Sequence, residues 1–177
     1  DTILEDRKVN ALEVKTDELC LLILAKRHPL ASDLRFITLA FKMVTDLERI
    51  GDLAVNICER SIKLNEQPQL KPYEDIPYMA KIVQTMIKDA IDAFVNRDAE
   101  KAQDVMNRDD LVDDLYYKIT EDLLQIMLKN SDSIERGIHI QSIAKFLERM
   151  ADHSVNLAEQ VIFMVKGKDV RHFGKLE

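Results

Sequence analysis

Turn-forming residues are scarce in this chain, with four glycines and four prolines among 177 residues. A strand-rich fold needs more punctuation than that, so β architectures are excluded. Cysteine is equally sparse. Cys20 and Cys58 cannot make a disulfide framework. Both fall in helical patterns and are expected as small buried hydrophobes in a reducing compartment. A basic surplus is missing too. The net charge of −7 argues against nucleic acid as a partner and against anionic membrane surfaces. No apolar run reaches the roughly 18 residues that span a bilayer, so direct membrane insertion is not expected. The opening Asp1-Thr2-Ile3-Leu4-Glu5 lacks the basic head and apolar stretch of a signal peptide. A cytoplasmic location is therefore expected.

What is present is apolar residue at 46% and charge at 32%, the balance of long helices with wet outer faces. Helical periodicity runs from Ile3 to about Lys26 through Leu4, Val9, Leu12, Leu19, Leu22 and Ile23. Lys26, Arg27 and His28 suit a helix C-terminus, and Pro29 marks the break. A second helix is predicted from about Ala31 to Leu64. Its stripe of Leu34, Ile37, Phe41, Val44, Glu48, Gly51, Val55, Cys58 and Ile62 alternates steps of three and four, the seam of a bundle. Three of the four prolines (Pro68, Pro72 and Pro77) then mark a boundary. Beyond it three helices are predicted. The first covers Ile76–Asn96, with Met79, Ile82, Val83, Met86, Ile87, Ala90 and Phe94 inward. The second is capped by Asp98 and runs to about Lys129. The third starts near Asp132 and Glu135, which have capping-box spacing, and ends at Gly167 after about Lys166.

The segment Glu48-Arg49-Ile50-Gly51-Asp52-Leu53-Ala54-Val55-Asn56-Ile57-Cys58-Glu59 recurs as Glu148-Arg149-Met150-Ala151-Asp152-His153-Ser154-Val155-Asn156-Leu157-Ala158-Glu159. Glu, Arg, Asp, Val, Asn and Glu are identical at equal positions, which marks a duplication. The preceding helices also correspond, Asp6-x-x-x-Asn10 with Asp109-x-x-x-Asp113. The second half then holds three helices and the first half two, so a natural chain extending further at the N-terminus is expected.

Glu48 and Asp52 are one turn apart on one face, a like-charge pairing that costs about 0.2–0.5 kcal/mol even in water. Glu48 moreover sits in the seam, where an unpaired carboxylate costs more or becomes protonated. Two kinds of compensation are open. One is a metal ion held by Glu48 and Asp52, or Glu148 and Asp152, with facing ligands from Asp6 and Asn10, or Asp109 and Asp113. The other is an arginine network drawing on Arg49, Arg35 or Arg7. Gly51, with Ala151 as its counterpart, is either a notch for close approach or a neutral packing position.

The segments Lys26-Arg27-His28-Pro29-Leu30-Ala31-Ser32-Asp33-Leu34-Arg35 and Asp46-Leu47-Glu48-Arg49-Ile50-Gly51-Asp52-Leu53-Ala54-Val55-Asn56-Ile57 resemble the PhoU family of bacterial phosphate-uptake regulators. Phe146 to Glu159 resembles the family's second-repeat motif, and Gly167-Lys168-Asp169-Val170-Arg171-His172 its tail. The resemblance implies an all-α fold of two three-helix bundles in tandem: residues 1–66 without their leading helix, a linker over 67–75, and residues 76–177. It also implies sites for divalent or trivalent metal ions (Fe, Zn, Mn or Mg), in clusters in some members. Those sites carry over to Asp6, Asn10, Glu48, Asp52, Asp109, Asp113, Glu148 and Asp152. Asn10 departs from the acid expected there, which weakens the first site. The implied role is not enzymatic. It is negative regulation of the phosphate-starvation response through contacts with the ATPase subunit of the phosphate ABC transporter and a membrane sensor histidine kinase. Long bundles expose seams, which leaves a homodimer open.

Two enzymatic rivals are weighed against this. A diiron carboxylate bundle needs Glu-x-x-His, and His28, His139, His153 and His172 all miss that spacing. Asp109-Asp110-x-x-Asp113 matches the aspartate-rich signature of Mg²⁺-dependent diphosphate chemistry, so an all-helical pyrophosphohydrolase is the alternative. A helical adaptor with empty sites is the third reading. His153 is placed either on a metal or in an ordinary hydrogen bond.

Overall fold

The computed structural model describes the backbone of residues 2–167 and side chains from Glu5 onward. The tail likeness at 168–172 and the side chain of Leu4 lie outside the described residues. Six α-helices follow in order: α1 Thr2–Arg27, α2 Ser32–Asn65, α3 Asp75–Asn96, α4 Ala99–Met106, α5 Asp109–Lys129 and α6 Ile134–Lys166. A 3₁₀ turn over Ser131–Ser133 precedes α6.

The single helix expected between Asp98 and Lys129 is in fact two. Asp98 caps α4 as anticipated, its Oδ1 accepting from the amides of Glu100 and Lys101 at 3.1 and 3.0 Å. The break comes at Asn107-Arg108. There the Arg108 guanidinium reaches the Asp104 carbonyl at 3.1 Å and the Asp89 carboxylate on α3 at 2.6 Å. Asp109 and Asp110 then open α5, where acids favour the positive end of the helix dipole. The expected capping pair Asp132–Glu135 gives way to Asn130, whose Oδ1 accepts from the Asp132 amide at 3.0 Å. The chain closes a 3₁₀ turn before α6 begins, which moves the cap two residues upstream. Gly167 ends α6 in the left-handed region at φ 68°, the conformation that favours glycine there. Arg35 of α2 covers that end, with Nη1 3.5 Å from the Phe163 carbonyl.

α2 and α6 form the central antiparallel pair. α1 packs on α2, and α3, α4 and α5 pack on α6. The face of α2 that meets the core is Leu39, Met43, Ile50 and Leu53. It is not the predicted seam. Of that seam only Ile37 is buried, while Leu34, Phe41 and Ile62 are exposed. α2 carries two apolar stripes, and periodicity alone could not rank them. The predicted one looks toward α1, where Val9, Leu12, Val44 and Leu47 share a cavity. On α1, Cys20 is buried as expected, whereas Leu12, Leu19 and Leu22 are about half exposed or more (60%, 53% and 48%). In the second repeat α3 touches both α5 and α6. No described helix takes that place in the first repeat.

The α2–α6 contact joins the two copies of the duplicated motif, in which counterparts stand one hundred positions apart, but its polar bonds are not repeated between the copies. Asp46 of α2 accepts from His153 Nδ1 and Gln160 Nε2 of α6, both at 2.9 Å. The counterparts of these three are Phe146, Leu53 and Arg60. Arg60 in turn donates to His139 Nδ1 at 3.2 Å. His153 therefore takes the hydrogen-bonding role rather than a place among the acids. Phe36 stacks on Phe94 of α3 at 5.1 Å, a further link between the repeats.

Asp46→Ala leaves two donors at this junction without their acceptor. A loss of about 1–3 kcal/mol in unfolding free energy is expected. An unchanged urea midpoint would show that the clamp contributes nothing.

Candidate functional site

Both acid sets predicted from the repeat are assembled by helix pairs, α1 with α2 and α5 with α6. In the first, Asp6 lies beside Gly51 of α2. A Cβ added there would stand 3.4 Å from Asp6 Oδ1 and 3.6 Å from a Val9 methyl. Those are ordinary van der Waals distances, which an alanine could fill as Ala151 does in the second repeat, so Gly51 is a neutral packing position. Asn10 Nδ2 donates to Asp6 Oδ2 at 3.2 Å. That leaves Asp6 Oδ1 and Asn10 Oδ1 buried with no hydrogen-bond partner. Burial, together with the nearby Asp52, pushes the Glu48 carboxyl above its ordinary range, and Glu13 adds to the effect.

Arg49 partly offsets this. Its Nε lies 3.6 Å from Glu48 Oε2 and its Nη1 3.4 Å from Asp52 Oδ2, with the arginine side chain 59% exposed. Of the three arginines considered for a network, only this one joins. Arg35 goes to Phe163, and Arg7 is exposed. Asn56 donates to its own helix at the Asp52 carbonyl, 2.9 Å, and does not extend the acid row.

The second set is more acidic. Asp109 opens α5, and Asp113 follows one turn on. Glu148 and Asp152 stand one turn apart on α6. Burial pushes the Asp109 carboxyl up to about 6, and Asp113, Asp152, Asp110 and Glu148 all push the same way. Asp113 and Asp152 are also raised, chiefly by burial and then by Glu148. Glu148 Oε1 pairs with Lys145 Nζ at 2.7 Å. Its Oε2 is buried with no partner.

Sequence reading overlooked Glu13 and Lys145 as members of these clusters, and read Asp110 only as part of a diphosphate-type motif. Glu13 and Asp17 continue the spacing of Asp6 and Asn10 by alternating steps of three and four, a signal that was available. Asp17 Oδ1 is another buried oxygen without a partner. Lys145 had no such mark, because the first repeat shows no acid or cation at the corresponding place. Thr45 stands where Lys145 does.

Among the described residues, no three His, Cys, Asp or Glu side chains are arranged, as placed, to hold a metal ion. Arg49 and Lys145 instead sit on the acids. The donor set nonetheless suits a hard cation or iron: carboxylates and one amide, with buried oxygens left over in both sets. An unmatched buried carboxylate oxygen is costly, and a cation is the group that would match it.

Comparison with known proteins extends the likeness over both repeats. The family model described as "PhoU domain" matches residues 1–61 and again 76–161. A phosphate-specific transport system accessory protein PhoU homolog of Aquifex aeolicus is 40% identical over 97% of this chain and 78% of its own length. The homolog of Pseudomonas aeruginosa is 41% identical over 96% of this chain and 70% of its own. The phosphate-specific transport system accessory protein PhoU of Escherichia coli is 34% identical over the same shares. The crystal structure of PhoU from Pseudomonas aeruginosa superposes with a TM-score of 0.91 at 38% identity, covering 94% of this chain and 80% of that one. The phosphate transport system regulatory protein PhoU from Streptococcus pneumoniae gives 0.85 at 28% identity, covering 96% and 79%.

Asp109 predicts a pH signature. Its carboxyl titrates near 6 in the fold against an ordinary 3.8, so the native state holds the proton more tightly than the unfolded chain. The stability this gives is complete below about 3.8 and lost as pH rises through about 6. Chelator-stripped protein should lose stability across that window, and Asp109→Asn should flatten the loss. Parallel melting curves against pH for the two proteins would contradict the assignment.

Proposed function

The chain belongs to the PhoU family, and from that membership we propose that it is an accessory regulator of phosphate uptake that restrains the phosphate-starvation response through protein contacts. The observation that carries this reading is the match of both repeats, at about 40% identity over nearly the whole chain, to proteins named as accessory to phosphate-specific transport. The contacts proposed are with the ATPase subunit of the phosphate ABC transporter and with the membrane sensor histidine kinase. No helix among the described residues is long and apolar enough to cross a membrane, which suits an adaptor that meets its membrane partners from one side.

The acid sets belong to the proposal as metal sites. Asp6, Asn10, Glu48 and Asp52 would hold a cation in the first repeat, and Asp109, Asp113, Glu148 and Asp152 in the second. Fe, Zn, Mn or Mg ions fit such oxygen-rich donors. A bound ion would supply the positive charge that the raised carboxyls lack, and would tie α1 to α2 and α5 to α6. The asymmetry of the two sets, three carboxylates and an amide against four carboxylates, favours fuller occupancy of the second. The pyrophosphohydrolase alternative gains nothing from the relatives, which are named as accessory or regulatory proteins.

The test is co-purification with the transporter ATPase subunit and with the kinase, at high and at low phosphate. Folded Glu48→Ala/Asp52→Ala and Glu148→Ala/Asp152→Ala variants are run alongside. Capture by the parent chain that weakens at least about tenfold in a double variant would tie the carboxylates to regulation. Failure of the parent chain to retain either partner at any phosphate level would reject the reading.

A further inference from the structure

Lys145 lies on α6 one turn before Glu148 and has no charged counterpart in the first repeat, where Thr45 occupies the place. Its ammonium is 2.7 Å from Glu148 Oε1 and 5.2 Å from the centre of the Tyr116 ring on α5. The lysine is thus held from both helices that carry the second acid set, by a charged hydrogen bond and a cation–π contact. Its side chain is 46% exposed, against 14% for Glu148. The stem therefore has an open route to water, while the acid it serves does not.

We propose that Lys145 is a tethered counter-ion of the second acid set, which a metal ion must displace in order to bind. This inference rests on the metal reading given above. An ammonium bonded to Glu148 Oε1 and a metal ion on the same carboxylate repel each other. Only one can hold that oxygen at a time. The lysine satisfies a single oxygen, since Glu148 Oε2 stays without a partner and Asp109 and Asp152 gain no hydrogen bond from it. It is therefore a partial match for the cluster's charge, good enough to keep the metal-free fold intact and replaceable by an ion of higher charge. In the first repeat the corresponding task falls to Arg49, which is looser at 3.4–3.6 Å and attaches to the other flank of Glu48. The two sites then differ in kind. The more acidic one carries its own competitor, so its stronger donor set does not translate fully into stronger binding. Lys145 also makes the second site a two-position element, with the lysine inward when the ion is absent and outward when it is present.

The experiment uses the whole chain, stripped with chelator and titrated with Mn²⁺ by calorimetry. Lys145→Met is the main variant, with Lys145→Gln as a second should the first aggregate, and Thr45→Met as the control in the other repeat. The Lys145 variants should bind one equivalent of Mn²⁺ more tightly, on the order of fivefold, and should melt lower than the parent when metal-free. Thr45→Met should leave that equivalent unchanged. A second readout is amine labelling followed by mass spectrometry, in which Mn²⁺ should speed the modification of Lys145 in the parent chain. Equal or weaker Mn²⁺ binding by both Lys145 variants would overturn the inference while leaving the metal reading standing. Absence of Mn²⁺, Zn²⁺ and Fe²⁺ binding by every protein, parent included, would remove the metal reading and the inference together.

Discussion

Packing of α2 against α6 is the constraint from which the rest of the molecule follows. Both are the long helices that carry the duplicated motif, and they meet antiparallel along their apolar faces. Leu53, Met43 and Ile50 on one side and Leu147, Met150, Leu157 and Val161 on the other belong to one continuous core. Asp46, held by His153 and Gln160, and Arg60, held to His139, pin the register at two points. A buried polar pair is a poor source of net stability but a good selector of alignment, because a slip of one turn leaves every partner unmatched.

With α2 and α6 fixed back to back, each presents its acidic edge outward to a different neighbour. Glu48 and Asp52 turn to α1, Glu148 and Asp152 to α5. The acids are near enough to the core to be desolvated and near enough to one another to repel, which is why Glu48, Asp109, Asp113 and Asp152 are all held above the ordinary carboxylate range. A helical bundle gains nothing in stability from such an arrangement. Sites that work against the fold in this way are where function is to be sought. The local cations Arg49 and Lys145 relieve the repulsion only in part.

Most of the helical architecture was legible because the cues were local. Periodicity, Pro29, the Asp98 cap and the Gly167 terminus all act within a turn or two of themselves. The reading went astray where a distant partner decided. The break at Asn107-Arg108 depends on Arg108 finding Asp89 on α3. The ranking of the two stripes on α2 depends on α6. The acid sets were found through the duplication. Lys145 escaped because the duplication has no mark at its position.

By itself, the sequence determined that the chain is helical, that it is duplicated, and that each copy sets acids one turn apart beside an apolar stripe. These are properties of spacing along one helix, and spacing is written in the order of residues. The tertiary structure alone decided which apolar face is core, which cation sits on which acid, and which oxygens are left buried without a partner. Each of those depends on a side chain brought in from another helix. Burial and charge act through space, so their balance exists only once the helices have met.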